Sequence, residues 1–328
     1  MAEWLGASLQ NYVQRFESAR DLNFLLSNLL IISFKKSIFL IFSLLSLSFF
    51  IKAQSIKKND TIKILSWNIQ MLPDFYSPFM KSVRKKQKLR LPNIIKYLDS
   101  AKFDIVILEE VFDIQAIHKL HRELKSSYPY LQKPIKKGKG IRLSNGIMIL
   151  SKHNIKYIDN IRFSKVNGLE KMAQKSCVIV SVEIKNKNLL VAGTHLNSAS
   201  QKERNKQYNK IKEHIIKPYK NDSTAFILAG DFNTNYDSKA FSSMLSLFDV
   251  KCSKFKNDSV PKITFSSLNY WNKSRFDNYN VWIDFVLHDL NNSFEFVNQK
   301  INKPYMMYKE KKMDLADHYG LEFQMIAK

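Results

Sequence analysis

The sequence predicts an α/β fold in which two β-sheets pack face to face with helices outside. Three observations lead there. Short runs rich in Val, Ile and Leu, at 62–66, 105–108, 189–192 and 225–229, read as buried strands bounded by polar or turn residues. Amphipathic stretches fall between those strands. The second half of the chain is strand-rich, and sheets with apolar faces must bury them against another layer.

Each strand run stops at a polar signature. Ser66-Trp67-Asn68 follows the first and Glu109-Glu110 the second; Gly193-Thr194-His195-Leu196-Asn197 follows the third and Gly230-Asp231-Phe232-Asn233 the fourth. Trp282-Ile283-Asp284 and Ala316-Asp317-His318-Tyr319 complete the series. A side chain at a strand end leaves the core while staying on a rigid scaffold, which is where ligands meet sheet-based folds. His195 and Asn197, and likewise Asp231 and Asn233, are two apart and are expected on one side of their strands.

The helices follow from spacing. Stretch 114–124 repeats Ile117, Leu120 and Leu124, so His118 and His121 read as solvated helix residues. Stretch 201–216 carries Tyr208, Ile211 and Ile215 on one face, and Pro218 is expected to stop it. No Gly/Pro/Ser-rich linker or internal repeat divides residues 60–328, so residues 54–328 read as one catalytic domain.

Residues 1–53 differ in composition. Lys35 and Lys36 precede an apolar run at 38–51, followed by Lys52-Ala53-Gln54, the pattern of a secretory signal cut after Ala53. The run is shorter than the roughly 18 to 20 residues of a membrane span, which makes an uncleaved anchor the weaker reading. Upstream, Arg15-Phe16-Glu17-Ser18 matches a translated transfer-RNA T-arm, so translation is expected to start further downstream. The expected location is secreted or periplasmic.

The full chain carries 52 Lys and Arg against 29 Asp and Glu, a formal charge of +23; without residues 1–53 it keeps 47 against 26. Such a charge favours anionic surfaces, whether nucleic acid or acidic membrane, but Lys spread along the chain reads first as a solvated surface, so charge does not choose the substrate. Cys177 and Cys252 belong to no metal-spaced motif, and Cys177 reads as a core residue. Carboxylate, amide and imidazole without thiolate suit a hard divalent cation and proton transfer. No Gly-rich phosphate loop is present. Metal-assisted attack of water on a phosphate ester is the chemistry these residue types describe.

The same signatures, in the same order, resemble the endonuclease/exonuclease/phosphatase superfamily over residues 62–323, and within it the secreted bacterial neutral sphingomyelinases. Glu110-Val111-Phe112-Asp113, Asn145-Gly146 running into Ile149-Leu150-Ser151-Lys152, the Arg204 and Gln207 pair, and Trp282-Ile283-Asp284-Phe285 carry the branch resemblance. The resemblance implies a DNase I-like four-layer sandwich, with two mixed or antiparallel sheets flanked by helices. It implies Mg²⁺, with Mn²⁺ or Co²⁺ as substitutes, held by Glu110 and Asn68, with Asp231 and Asp317 as further metal contacts.

By the same resemblance His318 is the general base oriented by Asp284, His195 serves the phosphoryl oxygen or the leaving group, and Asp231 orients water. Asn233, Asn197 and His195 contact the phosphate; Asn197 stands where sphingomyelinases usually carry Gln. The implied substrate is sphingomyelin in a phospholipid membrane, cleaved to ceramide and phosphocholine by a monomer. Phe75, Tyr76, Phe79, Tyr270 and Trp271 are the aromatic residues available to a bilayer. The alternative is a secreted DNase I-type endonuclease, with nucleic acid as the partner, or another phosphoesterase of the same superfamily.

Overall fold

A computed structural model describes residues 61–73, 81–136, 138, 143–163, 173–256, 262–273 and 277–328. The expected leader at 1–53, and Phe75, Tyr76 and Phe79, lie outside the described residues. Residues Thr61–Lys328 form one compact unit.

In chain order the unit runs β1 (Thr61–Met71), α1 (Lys81–Ala101), β2 (Ile105–Val111), α2 (Ile114–Leu124), β3 (Tyr130–Gln132), β4 (Met148–Ser151), β5 (Ile155–Arg162), β6 (Ser176–Ile184) and β7 (Lys187–His195). Helix α3 (Gln201–Ile211), β8 (Ala225–Asp231), α4 (Lys239–Phe248), β9 (Lys251–Cys252), β10 (Phe265–Ser266), β11 (Asn280–Val281) and β12 (Asp284–Asp289) follow. The chain closes with β13 (Phe294–Asn302), β14 (Tyr305–Tyr308), β15 (Lys311–Asp314) and β16 (Gly320–Ala327).

Two six-stranded mixed sheets result, ordered β13-β16-β1-β2-β4-β3 and β5-β6-β7-β8-β12-β9. Each contains one parallel pair, β1 with β2 and β7 with β8, whose crossover contains a helix, and antiparallel strands on both sides. This is the two-sheet sandwich expected from the sequence.

Strand alternation sorts the core. In the first sheet Ile62, Ile64, Ile105, Ile107, Ile147 and Ile149 join the cluster that holds the second sheet's Val178, Val180, Val191 and Ile227. Their neighbours Leu65, Trp67, Val106, Leu108, Met148 and Leu150 face the other way, into a cluster with Leu91, Ile94 and Leu98 of α1 and Ile117 and Leu120 of α2. Each such buried side chain contributes on the order of 2 kcal/mol. The period of two therefore decides which layer a residue serves.

Followed to the strand ends, the same parity puts polar groups between the sheets. Ile62 and Ile64 lead to Ser66 and Asn68, and Ile105 and Ile107 lead to Glu109. In the second sheet Gly193 faces Ile107 and Ile147 of the first, so His195 faces inward as well. His195 pairs with Asp231, and Asp231 with Asp284, in one row across three strands. Gly230 makes this approach possible: its φ is +147°, and a Cβ there would lie 1.8 Å from the Thr194 carbonyl oxygen.

Pro218 does not end the helix where expected. Helix α3 passes into a π-turn at Lys212–Ile216 and a last short turn at Lys217–Tyr219 that contains Pro218. The widened turn shifts the hydrogen-bond register just where Pro218 has no N–H to give. Both cysteines are free. No helix among the described residues is long and apolar enough to cross a membrane.

Candidate active site

The polar strand ends converge on Asp231. Its Oδ2 accepts from Asn68 Nδ2 at 3.2 Å and lies 3.4 Å from His195 Nε2 and 3.7 Å from His318 Nε2. Its Oδ1 accepts from the Asn233 backbone N–H at 2.9 Å. Burial and Asp284 raise its pKa, His318 draws it back, and it settles at about 7.

His318 precedes β16, and its Nδ1 lies 3.0 and 3.1 Å from the two Asp284 oxygens. Thr264 Oγ1 accepts from the Ile283 and Asp284 backbone N–H groups, and Trp67 Nε1 donates to the His318 carbonyl at 3.0 Å, so both partners are fixed at the backbone. The Phe265 ring packs edge-on against the imidazole, 4.9 Å between centroids. Burial pushes the His318 pKa down, but Asp284, Asp231 and Asp317 push it up harder, and it ends well above its ordinary value.

His195 moves the opposite way. Burial first, then Lys175 and His318, hold it well below the ordinary value, so it is neutral. Lys175 Nζ lies 3.1 Å from His195 Nε2 and donates to the Leu196 carbonyl at 2.7 Å. Two imidazoles pushed apart in one site are suited to different proton-transfer roles.

Strand β2 supplies two carboxylates because its alternation breaks. Glu109 faces between the sheets, fully buried, and accepts from Ser66 Oγ at 3.0 Å; burial and Asp284 raise its pKa well above normal. Glu110 has φ +56°, a left-handed conformation uncommon for a residue with a side chain, and its Oε1 comes to 4.0 Å from His195 Nε2. Its pKa is raised by burial and Asp317, with Lys175 and Asn68 opposing. Asp113, not Glu110, caps α2, accepting from Ala116 N at 2.7 Å.

Asp317 approaches through Gln70, whose Nε2 donates to Asp317 Oδ2 at 2.7 Å. The buried Asp317 Oδ1 has no hydrogen-bond partner. Arg90 of α1, wholly buried, donates to the Ile69, Gln70 and Leu315 carbonyls at 3.1, 2.9 and 2.7 Å and stacks 4.6 Å from the Trp271 ring. Gln70, Lys175 and Arg90 carry no motif that singles them out in the sequence. Trp271 is half-buried, its indole N–H given to the Asp314 carbonyl.

Asn197 and Asn233 depart from the expected parity because both lie beyond their strands. Asn197 Oδ1 accepts from Ser200 N at 2.6 Å at the entrance to α3, and its own N–H goes to Gln207 Oε1. Asn233, at φ +50°, turns its amide to the Leu196 carbonyl at 3.2 Å. These bonds shape the loops around the row.

The donor set fits a hard divalent cation. Asp231, Asp284 and His318 offer atoms within 4.8 Å of one another. His318 already engages Asp284 through Nδ1, so the available oxygens are those of Glu110, Asp231, Asn68 and the unpartnered Asp317 Oδ1. Carboxylate oxygens crowded in a buried site without a balancing charge are costly, and a cation among them offsets that cost.

Comparison with known proteins agrees with this geometry. The chain is 28% identical over 221 residues to a phospholipase C of Staphylococcus aureus, covering 61% of this chain and 65% of that protein. It is 29% identical over 217 residues to sphingomyelinase C 2 of Leptospira interrogans, covering 59% of this chain and 34% of that one. The match thus spans less than two thirds of either relative. Among solved structures, a beta toxin variant from Staphylococcus aureus with bound magnesium ions superposes with a TM-score of 0.64 at 22% identity, over 81% of this chain and 99% of that chain. The model of the endonuclease/exonuclease/phosphatase family matches residues 65–295, and the chain belongs to that family.

Proposed function

We propose that this protein is a metal-dependent phosphodiesterase that hydrolyses sphingomyelin to ceramide and phosphocholine. The observation that supports it best is the His318–Asp284 pair facing Asp231, Asn68 and Glu110 across the two sheets. Asp284 holds the His318 tautomer with Nδ1 protonated; the surrounding carboxylates strengthen this imidazole's hold on a second proton, and with their charge offset by a cation its Nε2 would be free to take a proton from water. Asp231, between both histidines, orients that water. The water oxygen bonds to phosphorus as the phosphorus–oxygen bond to ceramide breaks, and the His195–Lys175 pair returns a proton to the leaving oxygen.

Glu110, Asn68 and Asp231, with Asp317 beside them, would hold Mg²⁺, with Mn²⁺ or Co²⁺ as substitutes. When bound, the cation supplies charge stabilisation to the phosphoryl oxygens. Asn197 and Asn233, whose hydrogen bonds brace the loops after β7 and β8, would shape the wall of the site around the phosphate. In this reading residues 1–53 direct export, residues 54–328 act outside the cell or in the periplasm as a single monomeric catalytic domain, and the partner is a phospholipid membrane.

The formal charge of +23 favours a second reading, a secreted endonuclease of the same family. A paired assay with Mg²⁺, on sphingomyelin vesicles and on duplex DNA, separates them. Phosphocholine release abolished by EDTA, with DNA intact, is expected. EDTA-sensitive DNA cutting without phosphocholine release would keep the catalytic row and move the substrate to nucleic acid.

A further inference from the structure

We infer that a basic cleft on the edge of the second sheet binds a phosphate-bearing anion, independently of the catalytic row. The cleft, of about 620 Å³, lies between the edge strand β5, the segment after β3 and the outer helix α3. Lys136, Arg162, Lys210 and His214 line it together with Tyr157 and Asn160, and no carboxylate does. It shares no residue with the site around Asp231.

A solvated lysine surface would leave its nitrogens wet. Here Arg162 Nε is buried with no hydrogen-bond partner, and so is Asn160 Oδ1 on the same strand. An unmet buried donor and an unmet buried acceptor, two residues apart on one strand that lines the cleft, ask for a ligand that supplies both complements. Phosphate oxygens accept from a guanidinium fork and from lysine ammonium groups. A hydroxyl close to that phosphate donates to Asn160 Oδ1. The ligand class is therefore a phosphate ester with a neighbouring hydroxyl, such as glycerol phosphate, either free or as the headgroup of an anionic phospholipid.

Two binding measurements on the purified full chain, both with EDTA so that nothing turns over, distinguish the sources. One titrates glycerol 1-phosphate by calorimetry at low salt. The other measures co-sedimentation with vesicles of equal parts phosphatidylglycerol and phosphatidylcholine, against pure phosphatidylcholine. The Arg162→Met/Lys210→Met double variant is expected to lose calorimetric binding and roughly 30-fold in vesicle partition, the weight of two cations near an anionic bilayer. Both proteins carry the same N-terminal segment, so the difference reports the cleft.

A charge-matched control, Lys96→Met with Lys239→Met, both on exposed helix positions, is expected to lose much less. Loss in either measurement beyond that control sustains the site and names its source. Binding unchanged in both, or a loss no greater than the control's, overturns it. Thermal unfolding checks that the double variant folds; if it does not, Lys210→Met alone carries the test, with an expected loss of roughly 5-fold.

Discussion

His318 is tied to Asp284 through Nδ1, 3.0 and 3.1 Å from its two oxygens, and the other ring nitrogen faces Asp231 at 3.7 Å. The pair joins residues from the two sheets, since Asp284 opens β12 and His318 leads into β16. One imidazole thus has its tautomer and its direction set by the packing of the sandwich.

The first prediction concerns that pair. His318→Ala should lower turnover by about 10² to 10⁴, the range for loss of a positioned general base. Asp284→Asn should fall by a comparable factor, because an amide no longer fixes the tautomer. Steady-state rates on a phosphodiester substrate check both, and a near-normal rate in His318→Ala removes the assignment.

The second concerns the cation. Glu109, Glu110 and Asp231 all have raised pKa values, chiefly from burial, so the site is short of positive charge. Adding Mg²⁺ to about 100 times its Kd should stabilise the fold by about 2.7 kcal/mol, seen as a higher Tm. Glu110→Gln should lose most of that increment. A Tm response to Mg²⁺ equal in Glu110→Gln and the parent would place the cation elsewhere.

Much of this site was legible because each polar signature ends an apolar strand, and strand parity carries Asn68, Glu109, His195 and Asp231 inward. Parity could not foresee Glu110, where a left-handed φ breaks the alternation and brings a second carboxylate into the site. Nor could it follow Asn197 and Asn233 into their loops. Lys175 and Arg90 were hidden by composition: two cations among 52 Lys and Arg give no signal, and burial singles them out only after folding. Gln70 meets Asp317 across 247 residues of sequence, a contact that topology alone creates.

Arg90 gives the third prediction. Its guanidinium ties the carbonyls of Ile69 and Gln70, at the end of β1, to that of Leu315, two residues before Asp317. Burial lowers its pKa to about 10, with Asp317 and Glu110 opposing, so it remains charged at neutral pH. Arg90→Met would strand three carbonyls and should cost about 3 kcal/mol in urea unfolding. Arg90→Lys should recover only part, since an ammonium cannot span the same fork. A loss below about 0.5 kcal/mol in Arg90→Met would show the clamp to be dispensable.

Gly230 gives the fourth. Alanine there would combine an unfavourable φ of +147° with a Cβ 1.8 Å from the Thr194 carbonyl, inside the β7–β8 ladder that aligns His195 with Asp231. Gly230→Ala should cost more than about 3 kcal/mol or abolish soluble expression. An unchanged urea midpoint would mean that the two strands can separate without loss.

The last prediction is a pH dependence remote from the catalytic row. His288 on β12 is buried, with Nε2 2.6 Å from Ser253 Oγ and its ring packed on Phe296 and Phe323. Burial, then Lys251, lower its pKa to about 4, with Asp289 opposing. The unfolded chain takes up this proton near pH 6.5 and the folded one only near 4. Stability is therefore complete above about pH 6.5 and drains away as pH falls toward 4, by about 3 kcal/mol in all. In His288→Asn the slope of unfolding free energy against pH between 4 and 6.5 should flatten, even if the variant is less stable throughout. An identical slope in the two proteins would mean that His288 takes its proton in the folded state, and that the acid sensitivity of the fold comes from other groups.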